Sequence, residues 1–362
     1  MIYRAIGLMS GSSLDGLDIV FAELTETRSA WSYEIIKAAC IPYTDDWVEK
    51  LKRATELNAR DYQLLHTAYG RYIGQQVNAF IEAHGLQYQV GLVVSHGHTT
   101  FHLPGQGMTA QLGDGAAIAA MTKLPVVSDL RAMDVANGGQ GAPIVPIGEK
   151  LLFGDYGFYL NIGGIANISI NGEKYQAYDV CAANRVLNML ANDAGQPYDK
   201  GGALAAGGQI IAPLLHELNN LEYYKQPSPK SLANSFGTDI IYPLVKKYEA
   251  SVADQLCTYA EHIAIQVSDA VFAYSRAGQE AQLLATGGGA LNTFLIARLQ
   301  DHLSMAGVKV VVPDENLVNY KEALIMALIG VLRWREENNV LSSVTGAARD
   351  SVGGAMWMGQ EA

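Results

Sequence analysis

The sequence predicts an α/β protein of two domains, and three observations carry that expectation. The chain has 362 residues, more than one hydrophobic core usually serves. Short, continuous apolar runs of the buried-strand type alternate with segments of helical periodicity. The strand, glycine turn and strand that open the chain also recur, with Gly11 and Gly163 standing 152 residues apart. A hairpin opening each of two similar domains gives this spacing.

Composition narrows the function classes. Hydrophobic residues make up 49% of the chain, enough for two cores. With 36 acidic against 25 basic residues the net charge is −11, which argues against nucleic acid or an anionic membrane as partner. Any bound phosphate must therefore be held by local groups. Cys40, Cys181 and Cys257 have neither the even count of a disulfide framework nor metal-site spacing, which fits a reducing compartment. Met1-Ile2-Tyr3-Arg4 leads straight into a strand without the pattern of a signal peptide, and no apolar run approaches the roughly 18 to 20 residues of a membrane helix. The expectation is a cytoplasmic protein.

The first element is a hairpin, Ala5 to Ala22. Gly11 and Gly16 lack the Cβ atoms that would hold a ligand away, and Ser10, Ser12 and Ser13 add donors, so phosphate is the natural guest. Asp15 and Asp18 fit beside phosphate only through a divalent cation. An ordinary glycine-serine turn is the alternative. Trp31 to Ile41 reads as a strand, Asp45 to Thr55 and Ala59 to His84 as helices. Tyr62, Leu65, Tyr69, Ile73, Val77 and Phe80 give the second helix an apolar face for the core. Val90 to Val94 is a buried strand ending in Ser95-His96-Gly97-His98-Thr99-Thr100, at the end of a strand where open α/β sheets bind ligands. Gln111 to Gly115 precedes a small-residue helix over 116–122, and Pro125 to Asp129 is a strand running into Arg131. Ala136 to Pro143, too glycine-rich for helix or strand, is expected as hinge and domain boundary. This places one domain at 1–137 and the other at 138–362, with the last helix or tail free to pack back on the first.

In the second domain, Gly157 to Ile170 repeats strand, glycine turn, strand. Gln176 to Asp179 is a further strand end, followed by a helix over 182–190. The stretches 197–208 and 226–231 read as loops, and 252–275 as an amphipathic helix. Glu280 to Asn292 brings a strand to Gly287-Gly288-Gly289 and a helix, where backbone can approach a flat ligand and a phosphate can sit at the helix N-terminus. Val308 to Pro313 is a strand, and 321–332 a buried helix with Glu322 in its first turn. The chain lacks the Gly-x4-Gly-Lys-Ser/Thr phosphate loop. Two phosphate hairpins plus an adenosine turn, facing across a hinge, instead describe a clamp for ATP.

Gly7 to Asp18, Ser95-His96-Gly97, Gly138 to Pro143, Asn161 to Asn167, Thr286 to Gly289 and Ser343 to Ala347 resemble, in order, anhydro-N-acetylmuramic acid kinases. The resemblance implies the fold of hexokinase, Hsp70 and actin, two ribonuclease H-like (actin-like ATPase) domains flanking an ATP cleft. It implies hydrolysis of the intramolecular 1,6-anhydro bond together with phosphorylation of O6 by ATP, giving N-acetylmuramic acid 6-phosphate and ADP. Homodimers and a role in cell-wall recycling come with it.

By the same resemblance Asp179 is the catalytic base that activates water, the alternative being a helix N-cap. Gly11, Ser12, Ser13, Leu14, Asp15, Gly16, Leu17, Asp18, Asn161, Gly163, Gly164, Gly287, Gly288 and Gly289 are candidates for ATP and phosphate. His96, Arg131, Asp134, Asn184 and Glu322 are candidates for the sugar or for holding Asp179. Mg²⁺ is expected to arrive with ATP near Asp15 and Asp18, with no tight metal site. The chain departs from the family's Asp-Thr-Gly-Pro-Gly-Asn, having Asp179-Val180-Cys181-Ala182-Ala183-Asn184. It also has His98 where Gln is common, Gly115 for Pro and Glu149 for His. A kinase for another carbohydrate, or a non-catalytic nucleotide switch of the Hsp70 or actin type, are the competing readings.

Overall fold

The computed structural model describes residues 1–11, 14–228, 230–233, 235–275 and 280–359; Ser12 and Ser13 lie outside the described residues. The chain divides into two compact units. Unit 1 comprises Met1–Phe153 and Tyr320–Ala362, and unit 2 comprises Gly154–Asn319.

Unit 1 begins with β1 (Ile2–Ser10), β2 (Gly16–Thr27) and β3 (Ala30–Pro42), a long antiparallel meander. β4 (Leu92–Ser95) lies parallel to β1 and is buried along its whole length, as an unbroken Leu-Val-Val run requires. β7 (Val126–Ser128) extends the sheet in parallel, after β5 (His98–Leu103) and β6 (Met108–Leu112) have formed a separate two-stranded ribbon. The helix Ala59–Ala83 is capped by the Asn58 side chain, which accepts from the Asp61 amide. Its stripe of Leu65, Tyr69, Ile73, Val77 and Phe80 is buried with Ile6, Leu8, Ile19, Phe21 and Val93 of the sheet.

Unit 2 repeats the plan with β8 (Phe158–Ile162), β9 (Ile165–Ile170), β10 (Gln176–Ala182), β11 (Ala281–Thr286) and β12 (Val308–Val311). Its sheet order is β10-β9-β8-β11-β12, antiparallel through β8 and then parallel. The helix Val252–Phe272 buries Leu256, Tyr259, Ile263, Val267 and Val271 in the same core as Leu160, Ile168 and Leu283. In unit 1, β13 (Ala355–Trp357) pairs antiparallel with β7, completing the order β13-β7-β4-β1-β2-β3. Without this closing strand, both sheets read third, second, first, fourth and fifth strand. That is the ribonuclease H-like order, present twice.

Several sequence expectations are corrected. The boundary expected at 137/138 falls after Phe153, and the chain returns to unit 1 at Tyr320. The expected hinge at 136–143 is pinned inside unit 1. The Gln140 amide donates to Thr345 O at 2.8 Å, and the Gly141 amide to Asp134 Oδ2 at 2.7 Å. Hydrogen bonds of this density hold a glycine-rich segment that composition alone marks as flexible. The helix expected over 182–190 starts at Asn184, and that expected over 45–55 ends at Lys52, followed by a short 3₁₀ turn. A 3₁₀ turn, Gly288–Leu291, also separates Gly287 from the helix Thr293–Ser304, whose N-terminus is capped by Asn292. The glycines therefore do not themselves open the helix.

Candidate active site

In unit 1 the first hairpin carries Leu14 with φ of 60°, a left-handed turn residue whose amide faces Gly11 O at 3.4 Å. Gly16 serves packing: a Cβ there would meet Ile41 O at 2.5 Å and Cys40 Sγ at 2.7 Å. Its lack of a side chain admits β3, which corrects the reading of an open ligand approach. Leu17 is a core residue, 1% exposed, so only its backbone is available to a ligand.

Asp15 is exposed and Asp18 half-buried. Burial raises the Asp18 carboxyl to about 6, against a hydrogen bond from the Cys40 thiol, and the charges of Glu322 and Asp15 push the same way. Burial and the Asp18 charge in turn push the Cys40 thiol up to about 12. A site where neighbouring carboxylates disfavour the charge on Asp18 favours a divalent cation. Among the described residues, however, no group of three or more His, Cys, Asp or Glu is placed to hold one by protein ligands alone. This donor set fits Mg²⁺ delivered with a phosphate, with Asp15 and Asp18 beside it.

Behind the hairpin, Tyr43 donates to Ser10 Oγ at 2.8 Å and lies 2.6 Å from the Tyr69 hydroxyl, while Ser10 Oγ is 3.1 Å from His98 Nδ1. Ser10, expected as a phosphate donor, spends its hydroxyl in this buried chain. At the end of β4, Arg131 Nε donates to His96 Nε2 at 2.9 Å. His96 Nδ1 lies 2.8 Å from Gly97 O, so the imidazole is the neutral Nδ1–H tautomer. Burial, then the Arg131 charge, hold its pKa down to about 3. Arg131 also donates to Gly141 O at 2.6 Å, and burial lowers its guanidinium to about 10.

Asp134 is 0% exposed, and its two oxygens accept from the Gly141 amide and, at 2.7 Å, from Thr345 Oγ1. That arrangement is a latch on the glycine-rich segment, which corrects its reading as a sugar contact. Lys321 and Glu149 form a buried ion pair at 2.8 Å. Next to Lys321 in sequence, Glu322 has its carboxyl raised by burial, opposed by Lys321 and Arg131.

In unit 2 the second hairpin and the triple-glycine turn come together. β8 and β11 run parallel, placing Asn161 opposite Thr286. Asn184 is held against the hairpin: its amide donates to Gly163 O at 3.0 Å and its Nδ2 to Ile162 O at 3.0 Å. Gly287 has φ of 79°, and a Cβ on it would meet Asn161 Oδ1 at 2.5 Å; one on Gly289 would strike Ile162. Those two glycines seat the turn against the hairpin. By contrast Gly163, Gly164 and Gly288 have only neighbours at ordinary contact distances of 3.5 Å or more, leaving room for a ligand.

Asp179 lies in β10 at a bulge, where the register shifts between Asp179 and Cys181. It does not cap the following helix, whose N-cap residue is Ala183. Its Oδ2 accepts from the Leu232 amide at 2.9 Å and from Ser231 Oγ at 3.2 Å. Burial raises its carboxyl, against those two hydrogen bonds. Val180, Cys181, Ala182 and Ala183 are all core residues, at most 3% exposed. Sequence reading missed Ser231 and Leu232, more than fifty positions away, because no local pattern ties them to Asp179.

A family model described as anhydro-N-acetylmuramic acid kinase matches residues 3–359. Among solved structures, the chain is similar to the (R)-2-hydroxyglutaryl-CoA dehydratase component A of Acidaminococcus fermentans, at 15% identity and TM-score 0.47, over 90% of this chain and 96% of that one. It is also similar to a ROK family glucokinase from Streptomyces griseus in complex with glucose and AMPPNP, at 11% identity and TM-score 0.39, over 90% and 97%. A ROK family protein from Streptococcus pneumoniae in complex with sucrose is 12% identical, with TM-score 0.37, over 92% and 99%.

Proposed function

The chain belongs to the anhydro-N-acetylmuramic acid kinase family and is an ATP-dependent carbohydrate kinase, and from that premise we propose that it opens 1,6-anhydro-N-acetylmuramic acid by water and phosphorylates O6, giving N-acetylmuramic acid 6-phosphate and ADP. Asp179 takes a proton from the water that attacks C1. The C1–O6 bond breaks, and O6 attacks the γ-phosphorus of ATP as ADP leaves. The proton on Asp179 then passes to solvent. A carboxyl held above its ordinary range by burial is a better base than a surface aspartate, and its hydrogen bonds from Leu232 and Ser231 aim it.

The single observation that carries this reading is Asp179 itself, a half-buried carboxylate at a strand bulge inside a chain matched by the family from residue 3 to 359. Gly163, Gly164 and Gly288 take the nucleotide. Asp15 and Asp18 would hold Mg²⁺, which would supply positive charge against phosphate. Arg131 and Glu322 contact the sugar, and His96 positions the Arg131 guanidinium. A cytoplasmic homodimer in cell-wall recycling is the setting that family membership supports; among the described residues no helix is long and apolar enough to cross a membrane.

A second reading, another carbohydrate as acceptor, is favoured by one observation. The segment Val180–Ala183, which replaces Thr-Gly-Pro-Gly, is apolar and fully packed. Coupled ADP-release assays with the anhydro sugar, free N-acetylmuramic acid and neutral hexoses decide between them. Turnover confined to the anhydro sugar supports the first reading, and turnover only with a free sugar removes it.

A further inference from the structure

Arg185 is the second residue of the helix Asn184–Asn192 in unit 2, directly beside the second hairpin. Its backbone amide faces Gly164 O at 3.4 Å, and the neighbouring Ala183 and Asn184 amides donate to Gly164 O and Gly163 O at 2.9 and 3.0 Å. The hairpin carbonyls thus occupy the first amides of this helix, so the helix end is not itself left to take an anion. The side chain instead runs along the turn. A Cβ on Gly164 would lie 3.7 Å from Arg185 Nε and 3.8 Å from Nη2, and a Cβ on Gly237 would lie 3.7 Å from Arg185 Cδ. The guanidinium stem is therefore flanked by two glycines, the second in the π-helical turn Phe236–Ile241. Such turns recur at functional sites.

Arg185 Nε is buried and has no hydrogen-bond partner among the described residues. A buried guanidinium N–H left unpaired is costly, which calls for an acceptor that the protein itself does not supply. The net charge of −11 means that a polyphosphate needs a local cation, and the chain has no phosphate-loop lysine. Planar, always charged and many-donored, Arg suits phosphate oxygens.

We infer that Arg185 binds a phosphate of the nucleotide at the second hairpin, its guanidinium lying alongside Gly164. This rests on the kinase reading for the identity of the anion. It adds a phosphate-binding residue that neither the glycine pattern nor the family motif marks.

Calorimetric titration of Mg–ATP, tripolyphosphate, adenosine and the anhydro sugar into the wild type, Arg185→Gln and Arg185→Lys tests it. Arg185→Gln weakens Mg–ATP and tripolyphosphate by roughly tenfold to a hundredfold. Adenosine binding stays unchanged, and Arg185→Lys recovers part of the loss. Wild-type affinity for Mg–ATP in Arg185→Gln overturns the inference, as does an equal loss for adenosine, which would mean general damage to the site. Weakened anhydro-sugar binding with Mg–ATP unaffected assigns the guanidinium to the sugar's lactyl carboxylate, and likewise overturns it. The two readings fail separately. A wild type that binds Mg–ATP through Arg185 but never turns over the anhydro sugar loses the kinase assignment alone, whereas turnover with a neutral Arg185→Gln loses only this one.

Discussion

The Asp179 carboxylate accepts the Leu232 amide at 2.9 Å, a contact between a strand bulge and a loop 53 residues further along the chain. It couples the candidate base to a segment with no catalytic pattern of its own. Replacing the carboxylate by an amide keeps the shape but removes the basic site. Asp179→Asn therefore lowers kcat by roughly a hundredfold to ten-thousandfold, while calorimetry still finds Mg–ATP bound. Retention of most of the rate would rule Asp179 out as the base.

Ser231→Ala tests the holding contact. Losing one of the hydrogen bonds that favour the charged form raises the Asp179 pKa further. The acidic limb of the kcat profile accordingly moves to higher pH in the variant, with the KM for ATP unchanged. An unmoved limb would detach Ser231 from the base.

Thr345 and Asp134 latch the glycine-rich segment at 2.7 Å. Asp134→Ala leaves the Gly141 amide and the Thr345 hydroxyl without their acceptor and costs about 2–5 kcal/mol in urea unfolding. Thr345→Val removes one donor and costs about 1–2 kcal/mol, with the KM for the sugar unaltered. A fully stable Thr345→Val variant would show that the latch contributes nothing.

Lys321 and Glu149 are each 3% exposed in their side chains. Lys321→Met withdraws an ammonium from beside Glu149 and Glu322, so unfolding free energy falls by about 3–5 kcal/mol. The variant also regains stability on acidification, because burial raises the Glu322 carboxyl and the lost ammonium no longer opposes that, so protonating it removes a buried charge. Thermal melts at pH 5 and pH 8 read both effects, and equal stability to the wild type at pH 8 would contradict them.

His262 in unit 2 is fully buried, 2.6 Å from Asn219 Oδ1 and 3.0 Å from the Tyr224 hydroxyl; burial depresses its pKa to about 3. Between about pH 3 and 6.5 the unfolded chain binds a proton at this site that the folded chain does not, so stability is lost as pH falls through that window. Lowering the pH from 7.5 to 5 therefore destabilises the wild type by about 2 kcal/mol more than His262→Gln. Parallel urea titrations of both proteins at the two pH values measure the difference. Identical pH slopes would show that His262 is not held neutral.

Local pattern carried the strands and long helices. Val-Val runs bury on both faces, and the stripe from Leu65 to Phe80 recurs at the helical period, so both elements are legible without their neighbours. The repeat of Gly11 at Gly163 likewise announced two similar units. The glycines were harder to read. Gly16, Gly287 and Gly289 look like ligand-facing residues, yet the fold uses them to admit Ile41, Asn161 and Ile162. A missing Cβ looks the same in sequence whether a ligand or a neighbouring strand fills the space.

The sequence by itself determined the α/β class, the doubled hairpin and the family to which the chain belongs, because these rest on residue order and periodicity. Only the tertiary structure decided that Asp134 is a latch, that the division falls after Phe153, and that Leu232 holds Asp179. It alone placed beside Gly164 a guanidinium nitrogen of Arg185 that has no partner among the described residues. Each of these depends on which groups separated along the chain meet after the cores have closed, and hydrogen-bond partners brought together by packing leave no periodic trace in the residues that make them.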